Sequence, residues 1–238
     1  MFLKPLLAKG IDKFFAICPA FRKGEKGRHH LPQFTIMEWY RSRANYKVLM
    51  TDCEKLLAVT CRAVVGGERY PHIKYGERVI DLSPPFEIIT IREAFEEFAG
   101  WNPIEHKDEK RFEEDFVLKV EPALPENRPV FLTDFPAWAA SLSRLKKEDK
   151  RVSERFELFV GGLELANGFS ELVDPMEQKR RFEAENKKRM NLGLPALPMP
   201  DSFISSLKNC PPSAGIALGL DRLVMLLTDS TDISRVAL

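Results

Sequence analysis

Four segments carry charged and aromatic side chains whose types and spacing could bind phosphate, an aromatic ring or a cation. The first, Phe21 to His30 (FRKGEKGRHH), gathers Arg22, Lys23, Lys26 and Arg28. Arg22 and Arg28 offer forked donors to phosphate oxygens, and the lysines add point charges. Fixed positive charge of this kind stabilises an α-phosphate whose negative charge grows during nucleotidyl transfer. The same residues also suit a solvated hairpin tip. The second segment is Phe34-x-x-x-Glu38-Trp39-Tyr40. If it is a strand, Phe34, Ile36, Glu38 and Tyr40 share one face. An aromatic, an acid and a phenol on one face can form a pocket for a base ring and a cationic side chain, or simply the outer face of an amphipathic strand.

The third segment, Glu164 to Glu171 (ELANGFSE), holds two carboxylates seven residues apart. On a regular strand they face opposite sides, so they converge on a Mg²⁺ ion only if Asn167-Gly168 bends or bulges the chain. Otherwise they are surface acids of a hairpin. The fourth, Gly215 to Leu223 (GIALGLDRL), runs from a glycine-flanked strand into a helix and puts Arg222 near the helix start. Glycine permits close backbone approach to a ligand, and arginine can stack on a base or bind phosphate. This is not the G-x-G-x-x-G dinucleotide fingerprint.

The elements that must position these segments follow from periodicity and punctuation. Residues 2–9 read as the end of a helix or turn. Lys13 to Phe21 and Gln33 to Tyr40 read as strands of a long hairpin with a basic tip. Asn45 is a candidate N-cap for a helix with Leu49, Cys53, Leu56, Leu57 and Val64 on one face. Glycine and proline break residues 66–90 into short strands at most. Helices follow near 91–99 and 109–121, with strand character at Pro129 to Phe135. Ser153 to Leu172 is strand-like, interrupted at Asn167-Gly168. Asp174-Pro175 opens a charged helix closed by Lys187, Lys188 and Arg189. A proline-rich connector, a strand over Ser213 to Gly219 and a helix over Leu220 to Leu227 complete the chain. Sequence-adjacent strands with helices between them predict an antiparallel α+β domain.

Composition narrows the class. The chain has 238 residues, 44% hydrophobic and 30% charged, with a formal net charge of +1. That balance does not call for a nucleic-acid partner over a wide surface. No apolar run approaches the ~20 residues of a membrane span, and no signal-peptide pattern is visible; both point to the cytoplasm. The four cysteines, Cys18, Cys53, Cys61 and Cys210, lack metal-ligand spacing and read as buried reduced thiols.

In this order and spacing, the Phe21-to-Tyr40 and Gly215-to-Leu223 segments resemble motifs 2 and 3 of class II aminoacyl-tRNA synthetases. Phe131-Leu132-Thr133-Asp134-Phe135-Pro136, Glu154-Arg155-Phe156-Glu157-Leu158-Phe159 and the Glu164-to-Glu171 run resemble the lysine branch. Ala166, Ala217 and the stretch Gln178 to Pro195 resemble its short elongation factor P β-lysine ligase paralogues. The resemblance spans nearly the whole chain, so residues 1–238 read as one catalytic domain, an antiparallel sheet flanked by helices. It also implies elements before Met1: a Ser-Pro-Glu substrate loop, and the motif 1 helix and strand that build the family's homodimer. Departures are Gly24 where motif 2 usually carries glutamate, with Glu25 one place later, and Leu31 and Gln33 in place of an asparagine and a glutamate.

The resemblance implies activation of lysine or β-lysine by ATP and Mg²⁺, then transfer to a lysine side chain of elongation factor P. It gives Arg22 and Arg222 the catalytic roles, Arg22 at the α-phosphate. It places His30 at the pyrophosphate end and the adenine between Phe34 and Arg222. Glu25, Leu165 and Gly219 complete the ATP-binding set. Glu164 and Glu171 would bind the metal, Glu171 also lying near the amino acid. Glu38 and Tyr40 would receive the terminal ammonium, since a buried carboxylate selects charge and length together. The alternatives are the catalytic core of a lysine–tRNA ligase, acting on lysine tRNA, and an inactive paralogue that binds only nucleotide or a partner.

Overall fold

The computed structural model describes residues 3–66 and 71–237. A seven-stranded sheet runs in the order β1 (Lys13–Phe21), β2 (Gln33–Ser42), β9 (Ser213–Gly219), β8 (Leu163–Ser170), β7 (Arg155–Val160), β6 (Val130–Thr133) and β5 (Glu87–Thr90). Neighbours are antiparallel except β5, which runs parallel to β6. A separate hairpin pairs β3 (His72–Tyr75) with β4 (Arg78–Asp81). The helices are α1 (Pro5–Ala8), α2 (Tyr46–Val65), α3 (Ile91–Phe98), α4 (Glu109–Asp115), α5 (Pro175–Asn191), α6 (Asp201–Ser206) and α7 (Leu220–Leu227). Among the described residues no helix is long and apolar enough to cross a membrane.

Local chemistry starts these helices where the sequence suggests. Asn45 accepts the Lys47 N–H at 3.1 Å, and Asp174 accepts those of Met176 and Glu177 ahead of a proline in the first turn of α5. Each satisfies donors that the first helical turn leaves open. Thr90 and Glu93 form a reciprocal capping box on α3. The buried face of α2 is Leu49, Met50, Cys53, Leu57 and Cys61. Val64, expected on that face, is 57% exposed; Cys61, four residues after Leu57, takes the next inward position. Cys53, Cys61 and Cys210 are buried free thiols, and Cys18 is partly exposed.

The expected break at Asn167-Gly168 does not occur. The chain turns at Gly161-Gly162, with φ of 60° and 80°, the positive values that a tight hairpin turn demands. Asn167 and Gly168 instead run inside β8. The irregularity in β8 lies earlier, where Leu158 pairs with Ala166 and Phe159 with Glu164, leaving Leu165 as the extra residue. A bulge of this kind resets the face alternation. It puts Glu164 on the same face as Asn167, although the two are three residues apart.

The cores explain why part of this sheet stays open. One face packs Trp39, Phe131, Phe156, Leu158 and Ile216 under α2 and α7. On the other face, one cluster joins Val130, Leu132 and Phe159 to Phe95 and Phe112 of α3 and α4. A third cluster gathers Leu7 with Phe203, Ile204 and Leu207 of the α6 segment, and Phe14 and Tyr40 pack against it. Between these two clusters lies a partly open floor formed by β2, β9 and β8.

Candidate active site

Register lays out that floor. Tyr40 pairs with Gly215, Glu38 with Ala217 and Ile36 with Gly219. Across β9, Gly215 pairs with Phe169 and Ala217 with Asn167, and Asn167 pairs with Glu157 on β7. The site-facing positions of β9 are therefore Gly215, Ala217 and Gly219, a small-residue row with larger side chains on both banks. From Phe34 to Tyr40 the floor runs about 20 Å at ~3.4 Å per residue, room for a nucleotide and an amino acid end to end.

One end is basic and aromatic. Arg22, Glu25, His30, Phe34, Glu164, Leu165, Gly219 and Arg222 all line one cleft there. Arg222 enters at the start of α7; its guanidinium donates to the Glu164 carbonyl and, at 3.3 Å, to the His29 carbonyl. It lies 3.7 Å from the Glu164 carboxylate and 2.8 Å from His30 Nε2. A guanidinium only donates, so His30 Nε2 accepts and a neutral His30 keeps its proton on Nδ1. Burial, then the Arg222 charge, lowers the pKa of both His29 and His30, which favours neutral rings near pH 7. Arg22 is largely exposed, 3.5 Å from Glu25, and its guanidinium sits 5.5 Å over the Phe34 ring. Asp221, 1% exposed, accepts the Thr35 N–H at 2.7 Å and so ties the start of α7 to β2 beside Phe34.

The opposite end is acidic. Tyr40 Oη donates to Glu38 at 3.3 Å, and its ring stacks on Phe14 at 5.2 Å. Burial, then the Glu171 and Glu38 charges, holds the Tyr40 phenol protonated, far above its ordinary range. Glu171 is 2% exposed, and burial is the first cause raising its pKa.

A match of the whole chain settles the family. The model for class II tRNA synthetases (D, K and N) matches residues 1–238. The chain belongs to that family. Among its relatives is the elongation factor P–(R)-β-lysine ligase of Pectobacterium carotovorum subsp. carotovorum strain PC1, 39% identical over 242 residues, 98% of this chain and 73% of the relative. Proteins of the same name from Enterobacter sp. strain 638 (39% over 228 residues, 94% and 70%) and Edwardsiella ictaluri (37% over 241 residues, 98% and 73%) are similar.

For a class II synthetase the metal ligands matter, and here the geometry redirects the sequence reading. Glu164 and Glu171 stand at opposite ends of β8, roughly 20 Å apart by strand rise, and each has a cationic neighbour of its own. They do not converge on one ion. The carboxylate that faces Glu164 is Glu157, 7% exposed, with burial and then the Glu164 charge raising its pKa. Glu121 is likewise raised by burial, then by Glu164. Among the described residues no group of three or more His, Cys, Asp or Glu forms a metal cage. Two carboxylates nevertheless fit Mg²⁺, which takes one or two from protein and the rest of its ligands from phosphates and water.

Sequence reasoning missed Glu157, Asp221 and Lys4, which pairs with Glu171. The signal for Glu157 was its place two residues before Phe159, on one face of the strand next to that of Glu164. For Asp221 and Lys4 nothing local pointed to their partners.

Proposed function

We propose that this synthetase-family chain activates lysine or β-lysine with ATP and transfers it to a lysine side chain of elongation factor P. The observation that carries the reading is the continuous floor of β2, β9 and β8, basic and aromatic at one end, acidic at the other. The names of its relatives supply the acceptor.

In the first step a substrate carboxylate oxygen attacks the α-phosphorus, and the bond to the pyrophosphate oxygen breaks. Arg22 and Arg222 place fixed charge beside the phosphates. His30 offers an Nδ1–H donor at the pyrophosphate end rather than a positive charge. The base enters between Phe34 and Arg222, so Arg22 leaves the Phe34 ring for the phosphates. Glu38, Tyr40 and Glu171 hold the terminal ammonium and thereby fix the carboxylate at the reacting phosphorus. Glu157 and Glu164 would hold Mg²⁺, which neutralises phosphate charge when bound. In the second step the acceptor amine attacks the acyl carbonyl, AMP leaves, an amide forms and the amine sheds a proton.

ATP–pyrophosphate exchange by the purified chain, with L-lysine and (R)-β-lysine offered separately, tests the first step. The expected result is exchange with one or both. Transfer is then followed to elongation factor P and to lysine tRNA in parallel; the protein acceptor is expected to be labelled. Charging of tRNA alone would overturn the acceptor, and absence of exchange in folded protein would overturn the activation reading.

The metal assignment has its own test. Glu157→Gln keeps an acceptor for Arg155 and Asn167, which both donate to the Glu157 carboxylate, but removes a charge. The Mg²⁺ concentration for half-maximal exchange is expected to rise at least about tenfold, with the KM for lysine unchanged. Chelation should abolish exchange in wild type. An unchanged Mg²⁺ requirement in the variant would remove Glu157 from the site.

A further inference from the structure

The acidic end of the cleft contains a cation of its own. Lys4, only 4% exposed, precedes the short α1 and is held inward because Leu7 packs against Phe203, Ile204 and Leu207. Its Nζ lies 2.7 Å from Glu171 Oε2 and donates to the Leu172 carbonyl at 2.6 Å. The Phe203 ring lies 5.7 Å from the ammonium. Glu38, Tyr40 and Cys210 also bear on this pair. Glu38 and Glu171 bear on one another, Tyr40 stays a neutral phenol, and burial raises Cys210 and keeps its thiol neutral.

The two oxygens of Glu171 therefore do different things. Oε2 is engaged by Lys4. Oε1 faces the floor, where a Cβ on Gly215 would collide with it and with the Tyr40 ring. Two carboxylates and one ammonium leave a single net negative charge, and the terminal ammonium of a lysine-type substrate carries a single positive one. Without Lys4, the buried Glu171 and the half-buried Glu38 would face one cation, an arrangement that disfavours keeping both ionised.

Building on the proposed lysine activation, we propose that Lys4 is a positioning residue that sets the charge of the amino-acid end. It anchors Glu171 through one oxygen and reduces the site to one negative charge, matched to one substrate ammonium.

The charge count makes an uncommon prediction. Glu171→Gln keeps the shape but leaves Lys4 balanced only by Glu38, so the end becomes neutral and the KM for lysine rises about 30-fold. Adding Lys4→Met to that variant restores one net negative charge through Glu38, and the KM is expected to fall back about tenfold. Lys4→Gln in the same background serves as a second neutral replacement. Neither double variant strands a buried charge, whereas Lys4→Met alone would. The readout is the KM for lysine in pyrophosphate exchange, with the KM for ATP expected to stay within about twofold because the nucleotide end is remote, and thermal melting to verify folding. A purely structural ion pair gives double variants no better than Glu171→Gln, and that result would overturn the role of Lys4. Wild-type protein that shows no lysine-dependent exchange would instead overturn the activation reading on which this inference rests.

Discussion

Replacing Arg222 with methionine is expected to lower lysine-dependent pyrophosphate exchange about a thousandfold, with the loss mainly in kcat and the KM for lysine little changed. The side chain of Arg222 is 17% exposed and is aimed before any ligand arrives. The Glu164 and His29 carbonyls and His30 Nε2 all fix its guanidinium. A charge already oriented in this way costs no reorganisation when negative charge develops on a phosphate. The backbone beneath it is fixed too, since Asp221 clamps the start of α7 to the Thr35 N–H. Methionine preserves most of the apolar stem that packs in the cleft, so the effect reads on chemistry rather than folding. Arg222→Lys keeps the charge but loses the fork, and it is expected to recover only part of the rate. Exchange within tenfold of wild type in Arg222→Met would mean that the nucleotide does not lie at this end.

Much of this arrangement was legible because local signals and tertiary demands agree. The alternation of Phe34, Ile36, Glu38 and Tyr40 survives because β2 is regular, with Met37 and Trp39 turned to the opposite core. The Asn45 and Asp174 caps, and the switch from strand to helix at Gly219-Leu220, depend on chemistry within a few residues. What failed depended on partners far along the chain. Asn167-Gly168 looks like a turn, yet Gly168 is a packing glycine: an added Cβ would stand 2.7 Å from the Phe156 ring. The real turn, Gly161-Gly162, was masked by the apolar residues on both sides. The bulge at Leu165 appears only in the register with β7, and without it Glu164 could not be placed on the same sheet face as Glu157. The Lys4–Glu171 ion pair joins the two ends of the chain, where no periodicity reaches.

Two glycines on β9 separate the two ends of the cleft by experiment. Gly215→Ala is expected to lower kcat/KM for lysine about a hundredfold. Its methyl carbon would stand 2.5 Å from Tyr40 Cε1 and against Glu171 Oε1. Neither neighbour can retreat, because Tyr40 is stacked on Phe14 and Glu171 is tied to Lys4. Overpacking of this kind costs about 1–3 kcal/mol, roughly 5–150-fold at 1.4 kcal/mol per tenfold. Gly219, four residues on and about 13 Å along the strand, is different. The nearest atoms to a Cβ there are Arg222 side-chain carbons, at 3.6–3.7 Å, an ordinary contact distance. Gly219→Ala is therefore expected to leave the KM for lysine within about threefold, and any loss should fall on the KM for ATP. Measuring both constants for both variants assigns each end of the floor to its substrate. A Gly215→Ala protein that activates lysine like wild type would place the ammonium somewhere other than beside Tyr40 and Glu171, and the charge-matching role of Lys4 would fall with it.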